Sequence, residues 1–169
     1  QKIAPNDGAA GDSFGYSVSI SNDLAVIGSP YDDDQFGSSG SAYIFVRNMN
    51  DEWIQLQKIT ASDSTDGANF GRAVSASKNT ILIGAPGSED HGGHSGSAYV
   101  YTKNHAGNWV ERQKLTASDA GQLHYFGHSL EISGDHVIIS AYGNRGGAAY
   151  IFELTDNGSW NEQQKLTAA

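Results

Sequence analysis

From Phe14 to Ser21 apolar Phe14, Tyr16, Val18 and Ile20 alternate with Gly15, Ser17, Ser19 and Ser21. Period-two alternation predicts a strand with one covered face. Leu24 to Ile27 is a continuous apolar run, as are Ile81 to Ile83 and Val137 to Ile139. Such runs suit an inner strand covered on both faces. Ser21-Asn22-Asp23, Lys78-Asn79 and Ser133-Gly134-Asp135 lie between these two kinds of segment and supply tight-turn chemistry. A third strand is expected over Ala42 to Val46. A second turn follows at Asn48 to Asp51, Asn104 to Asn108 and Asp156 to Ser159. The fourth strand, Trp53 to Ile59, mixes apolar and polar residues as an outer, partly wet strand does.

The whole set then repeats. Gln1-Lys2-Ile3 returns as Gln57-Lys58-Ile59, Gln113-Lys114-Leu115 and Gln164-Lys165-Leu166, at offsets of 56, 56 and 51 residues. Phe14-Gly15 returns as Phe70-Gly71 and Phe126-Gly127. Gly28-Ser29-Pro30 becomes Gly84-Ala85-Pro86 and degrades to Ser140-Ala141-Tyr142. Ala42-Tyr43-Ile44-Phe45 matches Ala98-Tyr99-Val100-Tyr101 and Ala149-Tyr150-Ile151-Phe152, and Trp53, Trp109 and Trp160 recur near the end of each unit. The third unit is shortened between Ala141 and Ala149, where a loop is expected.

Four-stranded units repeated at about 40 to 55 residues are the mark of β-propeller blades. The expectation is therefore an all-β chain of three four-stranded antiparallel repeats, a section of a six- or seven-bladed propeller. The rivals are a β-sandwich and an open β-solenoid, and four strands per period is too many for most solenoids. The blades fall at 14–60, 70–116 and 126–168. Residues 1–13 then hold the outer strand of a preceding blade, Gln1 to Ala4, and an inter-blade loop; the alternative for Gln1 to Ala4 is a disordered end. The chain begins at Gln1 rather than Met, as a processed product or excised piece would. Tyr43, Tyr99, Tyr150 and the three tryptophans occupy equivalent positions, as packing between blades demands, with an aromatic sugar-stacking platform as the alternative.

Phe-Gly followed by Gly-Ser-Pro or Gly-Ala-Pro resembles the FG-GAP repeat of integrin α-subunit propellers. The version with Gly-Ser-Ala-Tyr-Ile-Phe, Trp and Gln-Lys-Leu-Thr-Ala resembles a bacterial FG-GAP subfamily of large secreted or surface proteins. The resemblance implies an extracellular or cell-surface setting, adhesion or ligand binding, and a propeller that further blades complete, from the parent chain or from other copies. The family's calcium loop, of Asp-x-Asp-x-Asp-Gly type, does not carry over. Ser21-Asn22-Asp23 and its counterparts are too short and too poor in carboxylates for calcium's six to eight oxygens.

Composition narrows the function. The 169 residues carry a net charge of −9, so nucleic-acid backbones and anionic lipid surfaces are disfavoured partners. There is no cysteine, and no apolar run approaches the roughly 20 residues needed to insert across a bilayer as a helix. Of 19 acidic residues, ten fall in the long loops expected on one face: Asp7, Asp12, Asp32, Asp33, Asp34, Asp63, Asp66, Glu89, Asp90 and Asp119, against a lone Arg145. Variable loops on a rigid scaffold are where binding usually lives. No certain cofactor is implied. Calcium is the possible one, at Asp32-Asp33-Asp34 or at Asp63 with Asp66, since oxygen-only ligands suit it. His91 and His94 with Glu89 and Asp90 offer a second candidate, for a transition metal. Tyr16, Arg72 and His128 are equivalent positions that differ in every repeat, near the start of the innermost strand, where a central channel would run. No hydrolase elbow, zinc-protease helix, phosphate loop or nicotinamide fingerprint is present. The reading is a non-enzymatic binding module for a protein or glycan, with a purely structural scaffold as the alternative and a non-catalytic part of a secreted enzyme as the minor one.

Overall fold

A computed structural model describes residues 1–168. Twelve strands form three four-stranded antiparallel sheets, each in plain sequential order. Blade 1 contains β1 (Ser17–Ser21), β2 (Leu24–Ser29), β3 (Ser41–Arg47) and β4 (Trp53–Ile59). Blade 2 contains β5 (Ala73–Ser77), β6 (Thr80–Ala85), β7 (Ser97–Lys103) and β8 (Trp109–Leu115). Blade 3 contains β9 (Phe126–Ser133), β10 (His136–Ala141), β11 (Ala148–Leu154) and β12 (Trp160–Thr167). The fourth strand of blade 1 coincides with expectation, and that of blade 2 occupies the equivalent positions. The first strand of blade 1 starts at Ser17, later than the alternation suggested, because Phe14-Gly15-Tyr16 forms a turn, with Gly15 at φ 92°.

The apolar runs of β2 and β6 are buried along almost their whole length, as strands covered on both faces must be. Blades pack face to face, with β5 against β1 and β2, and β9 against β5 and β6. One core joins Leu24, Val26, Ile44 and Ile59 of blade 1 to Val74, Ile81, Ile83 and Tyr99 of blade 2. An equivalent core joins Leu82, Val100 and Leu115 of blade 2 to Leu130, Ile132, Ile139 and Tyr150 of blade 3. Phe70 and Phe126 are fully buried at these two seams, each edge-on to the repeated tyrosine (Tyr99 or Tyr150) at 5.4 Å.

The repeated glycines are explained by how closely the blades approach. A Cβ built on Gly28 would lie 2.0 Å from the carbonyl oxygen of Gly71, and one on Gly84 would lie 1.9 Å from that of Gly127. The Phe-Gly turn of each blade thus rests directly on the backbone of the blade before it, a contact only glycine admits. Ser140 stands at the corresponding position of blade 3, where no following blade rests on it.

A second repeated link runs along the outer strands. The Gln57 side chain donates to Trp109 O (2.9 Å) and accepts from Trp109 N (3.0 Å), and Gln113 does the same to Trp160 at 2.8 Å in both directions. Gln1 clamps Trp53 in this manner, at 3.1 and 2.8 Å. It therefore occupies the place of a preceding blade's glutamine. The expected strand over Gln1 to Ala4 does not form, since its partner strand has no counterpart in these residues. Instead Ile3 packs with Phe14 on Ile27, Tyr43 and Phe45.

The two end faces stay open. Val18 and Ile20 are 68% and 67% exposed, against 8% for Val74 and Leu130 at the position equivalent to Val18. On the far side of blade 3, Ile138 and Leu166 are exposed where Val26, Leu82, Ile59 and Leu115 are buried.

Candidate functional site

The acidic loops are organised by lysines. Lys58, at the end of β4, reaches Asp7 (2.9 Å), Asp32 (2.8 Å) and Asp34, while Asp32 also accepts from Ser41 (2.8 Å) and Tyr43 (3.0 Å). In blade 2, Lys114 holds Asp63 and Asp90, with Tyr99 donating to Asp63 and Ser97 to Asp90. In blade 3, Lys165 holds Asp119, which also accepts from Tyr150 and Asn144. Burial would raise the pKa of Asp32, Asp90 and Asp119, but the lysine and hydroxyl donors win and hold each below the ordinary carboxylate value. Burial would lower that of Lys58, and its carboxylate partners raise it overall. Tyr43 is pushed up to about 12, first by burial and then by Asp32.

These clusters account for most of the carboxylates offered above as cation ligands. Asp32-Asp33-Asp34 does not form a cation cradle: Asp32 and Asp34 turn to Lys58, and Asp33 stands exposed. Asp63 serves Tyr99 and Lys114, and Asp66 lies over Gly37. Among the described residues no three acidic or histidine side chains converge as a metal site requires. The physical reason is that the ammonium of the repeated Gln-Lys-Leu segment already supplies the positive charge. Asp12 is buried and accepts from the Ala9 backbone N–H at 2.7 Å. Arg145 lines a separate recess of about 530 Å³ with Asp119, His124 and Lys165. Glu89 and His91 are exposed; His94 turns away from them to stack on Tyr125.

That stack belongs to the most distinctive site. The loop after β2 and the loop before β5 are joined by backbone bonds from Gly67 N to Gly37 O and Asn69 N to Ser38 O. The next pair repeats this, with Leu123 N to Gly93 O and Tyr125 N to His94 O. The backbone is the same at both seams, down to left-handed φ values of 55° at Asn69 and Tyr125 and 49° and 53° at Ser38 and His94. The side chains differ completely. Asn69, a residue at ease in this conformation, donates to Pro30 O and Ser38 O. Tyr125, which is not, stacks between His94 (5.4 Å, 16° between planes) and Tyr142 (5.0 Å, 12°). Tyr142 is the residue that replaces proline in the degraded third Gly-Ala-Pro.

From Tyr142 the row continues inward. His128 meets Tyr142 edge-on at 4.6 Å, and Arg72 donates to His128 Nε2 at 3.0 Å. The Arg72 guanidinium lies 4.5 Å over the Tyr16 ring, which meets Tyr31 at 6.0 Å. The three positions expected to line a channel thus touch one another across all three blades. Burial, and then the charge of Arg72, push His128 below the ordinary imidazole pKa, so the ring is neutral and accepts. A recess of about 210 Å³ opens beside Arg72, His94, Tyr125, His128 and Tyr142. Sequence reasoning named Arg72, His128 and His94 but not Tyr125 and Tyr142. The available signal was their departure from Asn69 and Pro86 at equivalent repeat positions.

Comparison with known proteins agrees with this architecture. The model of the FG-GAP repeat matches residues 1–45, 53–101 and 109–152. A crystal structure of a protein from Lactobacillus plantarum, a structural-genomics target, superposes with a TM-score of 0.61 at 16% identity, covering 92% of this chain. The chain spans 42% of the length of that one. Among curated proteins, none matches the sequence.

Proposed function

The chain belongs to the FG-GAP repeat family, and from that premise we propose that it is a recognition module, non-enzymatic and extracellular, binding a protein or glycan at the loop face around the seam of blades 2 and 3. The carrying observation is Tyr125: a bulky residue held at φ 55°, where the same backbone in the preceding repeat uses asparagine. Such strain costs on the order of 1–3 kcal/mol and clusters at functional sites. The ring it supports, Tyr142, is 54% exposed, and Tyr16 at the other end of the row is 44% exposed; neither adds anything evident to the core.

The test replaces Tyr125 and Tyr142 together by Asn and Pro, the residues of the earlier repeat, and compares capture of glycans and cell-surface proteins on arrays. Capture by the natural chain and loss in the variant, with an unchanged circular-dichroism spectrum, is the expected result. A natural chain that captures nothing supports a scaffold instead. That second reading has its own motive. The leading face of blade 1 keeps Val18 and Ile20 exposed, Gly15 uncrowded and Gln1 in a preceding blade's position, as a face prepared for a further blade would.

A further inference from the structure

The row from Tyr31 to His94 has one guanidinium at its centre. Arg72 is half-buried, yet among the described residues no carboxylate pairs with it, in a chain that carries 19 acidic residues. Its contacts are a ring face, Tyr16, and a neutral nitrogen acceptor, His128. The lysines at equivalent depth, Lys58 and Lys114, each hold at least two carboxylates. Arg72 therefore keeps planar donors available for an anion from outside, and a carboxylate is one of the groups that fit such a fork bidentately.

The surroundings decide what carries that carboxylate. The recess of about 210 Å³ is below the roughly 300 Å³ at which drug-sized pockets begin, so it admits a single ring or a short chain end. Exposed aromatic surface lies on both sides of Arg72, at Tyr16 and Tyr31 and at Tyr142 and His94. The exposed parts of the Tyr142 and Tyr16 rings, 54% and 44% accessible, offer apolar contact to the C–H groups of sugars on either side of Arg72. A peptide main chain finds less here. The N–H groups of Gly87, Gly96, Tyr125, Phe126 and Gly143 are all bonded within the loops, leaving no strand edge to extend. Exposed Asp33, Asp66 and Glu89 near this face would repel a densely charged polymer. Resting on the recognition reading above, we propose that this site binds an acidic saccharide in which carboxylate-bearing sugars are spaced by neutral ones, the carboxylate on Arg72 and the flanking rings on Tyr142 and Tyr16.

The experiment is calorimetric titration of the intact chain with a tetrasaccharide alternating glucuronate and N-acetylglucosamine. An uncharged N-acetylglucosamine tetramer and a blocked glutamate dipeptide serve as controls. The acidic sugar should bind at least about tenfold more tightly than either, the margin of one charge-assisted pair. R72Q should remove that margin, bringing the acidic sugar to no tighter than the neutral one. Y142P, which installs the proline of the other two repeats, should weaken both sugars by roughly fivefold. Equal binding of acidic and neutral sugars, indifference to R72Q, preference for the dipeptide, or no heat at millimolar acidic sugar each overturns the proposal. If array ligands of another kind are captured and lost with the Tyr125/Tyr142 variant but not with R72Q, recognition stands and the acidic saccharide does not. If nothing is captured at all, both fail.

Discussion

The two seams of this molecule share a backbone and differ in what they do with it. Between blades 1 and 2 the loop corner is closed by Asn69, whose amide ties Pro30 and Ser38 down. Between blades 2 and 3 the equivalent corner lifts Tyr125 out between His94 and Tyr142. Beneath both corners the packing is nearly superimposable, phenylalanine on tyrosine at 5.4 Å and glycine on glycine. Stability is thus vested in what recurs and, on the function proposed above, recognition in what departs, so that a repeat array can vary one without spending the other.

The sharpest way to break this comparison is in the shared layer. Phe70→Ala removes a fully buried ring at a seam and should cost about 3–5 kcal/mol in denaturant unfolding. Phe14→Ala removes the equivalent ring from the half-covered leading face of blade 1 and should cost less than half as much. Similar losses at the two positions would mean the seam is not where stability resides. Next come the glycines. Gly71→Ala keeps a φ of 88° and brings a Cβ to 2.2 Å from Ser41 O, so a loss of about 2–3 kcal/mol is expected. Gly15→Ala has φ 92° and nothing within 4 Å; only the backbone strain of about 1 kcal/mol should appear.

Smaller again is the lysine cluster. Lys58→Met leaves Asp32 without its ammonium, and with Lys58 partly solvated the expected loss is about 1–2 kcal/mol. The pH dependence gives the sign. Asp32 has its pKa lowered in the fold, so its stabilisation is present above the ordinary value of 3.8 and is lost as pH falls through the folded value. Lys58 is raised, so its share holds below 10.5 and is lost only as pH climbs beyond that. The cluster's share of stability should therefore plateau between about pH 5 and 10, with His128, lowered in the fold, adding a loss as pH falls below its ordinary value of 6.5, and Lys58→Met should flatten the limb that Asp32 contributes. The smallest effect expected is that of calcium: millimolar calcium should leave the melting temperature unchanged, because most of the loop carboxylates already have lysine partners. A rise would reopen Asp33 and Asp66 as ligands.

Much of the scaffold was legible because burial imposes period two within strands and 56 residues between them. Val26, Ile44, Ile81 and Val100 could hardly lie elsewhere than between sheets. Strand starts were less legible, since Phe14-Gly15-Tyr16 alternates like a strand while the positive φ of Gly15 makes it a turn. The acidic face was read as a charge without its partners. Asp7, Asp63 and Asp119 recur at the period of Lys58 and Lys114, and that joint recurrence of opposite signs was the overlooked clue to an ion pair rather than a metal. The Gln–Trp clamps recur in the same way. Tyr125 and Tyr142 showed only as departures from the repeat, and their stacking was not legible, because contact between loops depends on a backbone geometry that sequence period alone does not supply.

Ser140 has a consequence for how copies of this chain meet. A head-to-tail stack would set the Gly15 turn of one copy on blade 3 of another, and there a side-chain carbon stands where Gly28 and Gly84 leave clearance for a carbonyl. The apolar ends are therefore not interchangeable with the internal joints. The Ser140 side chain thus disfavours the simplest head-to-tail route by which a chain with sticky ends would grow into a filament.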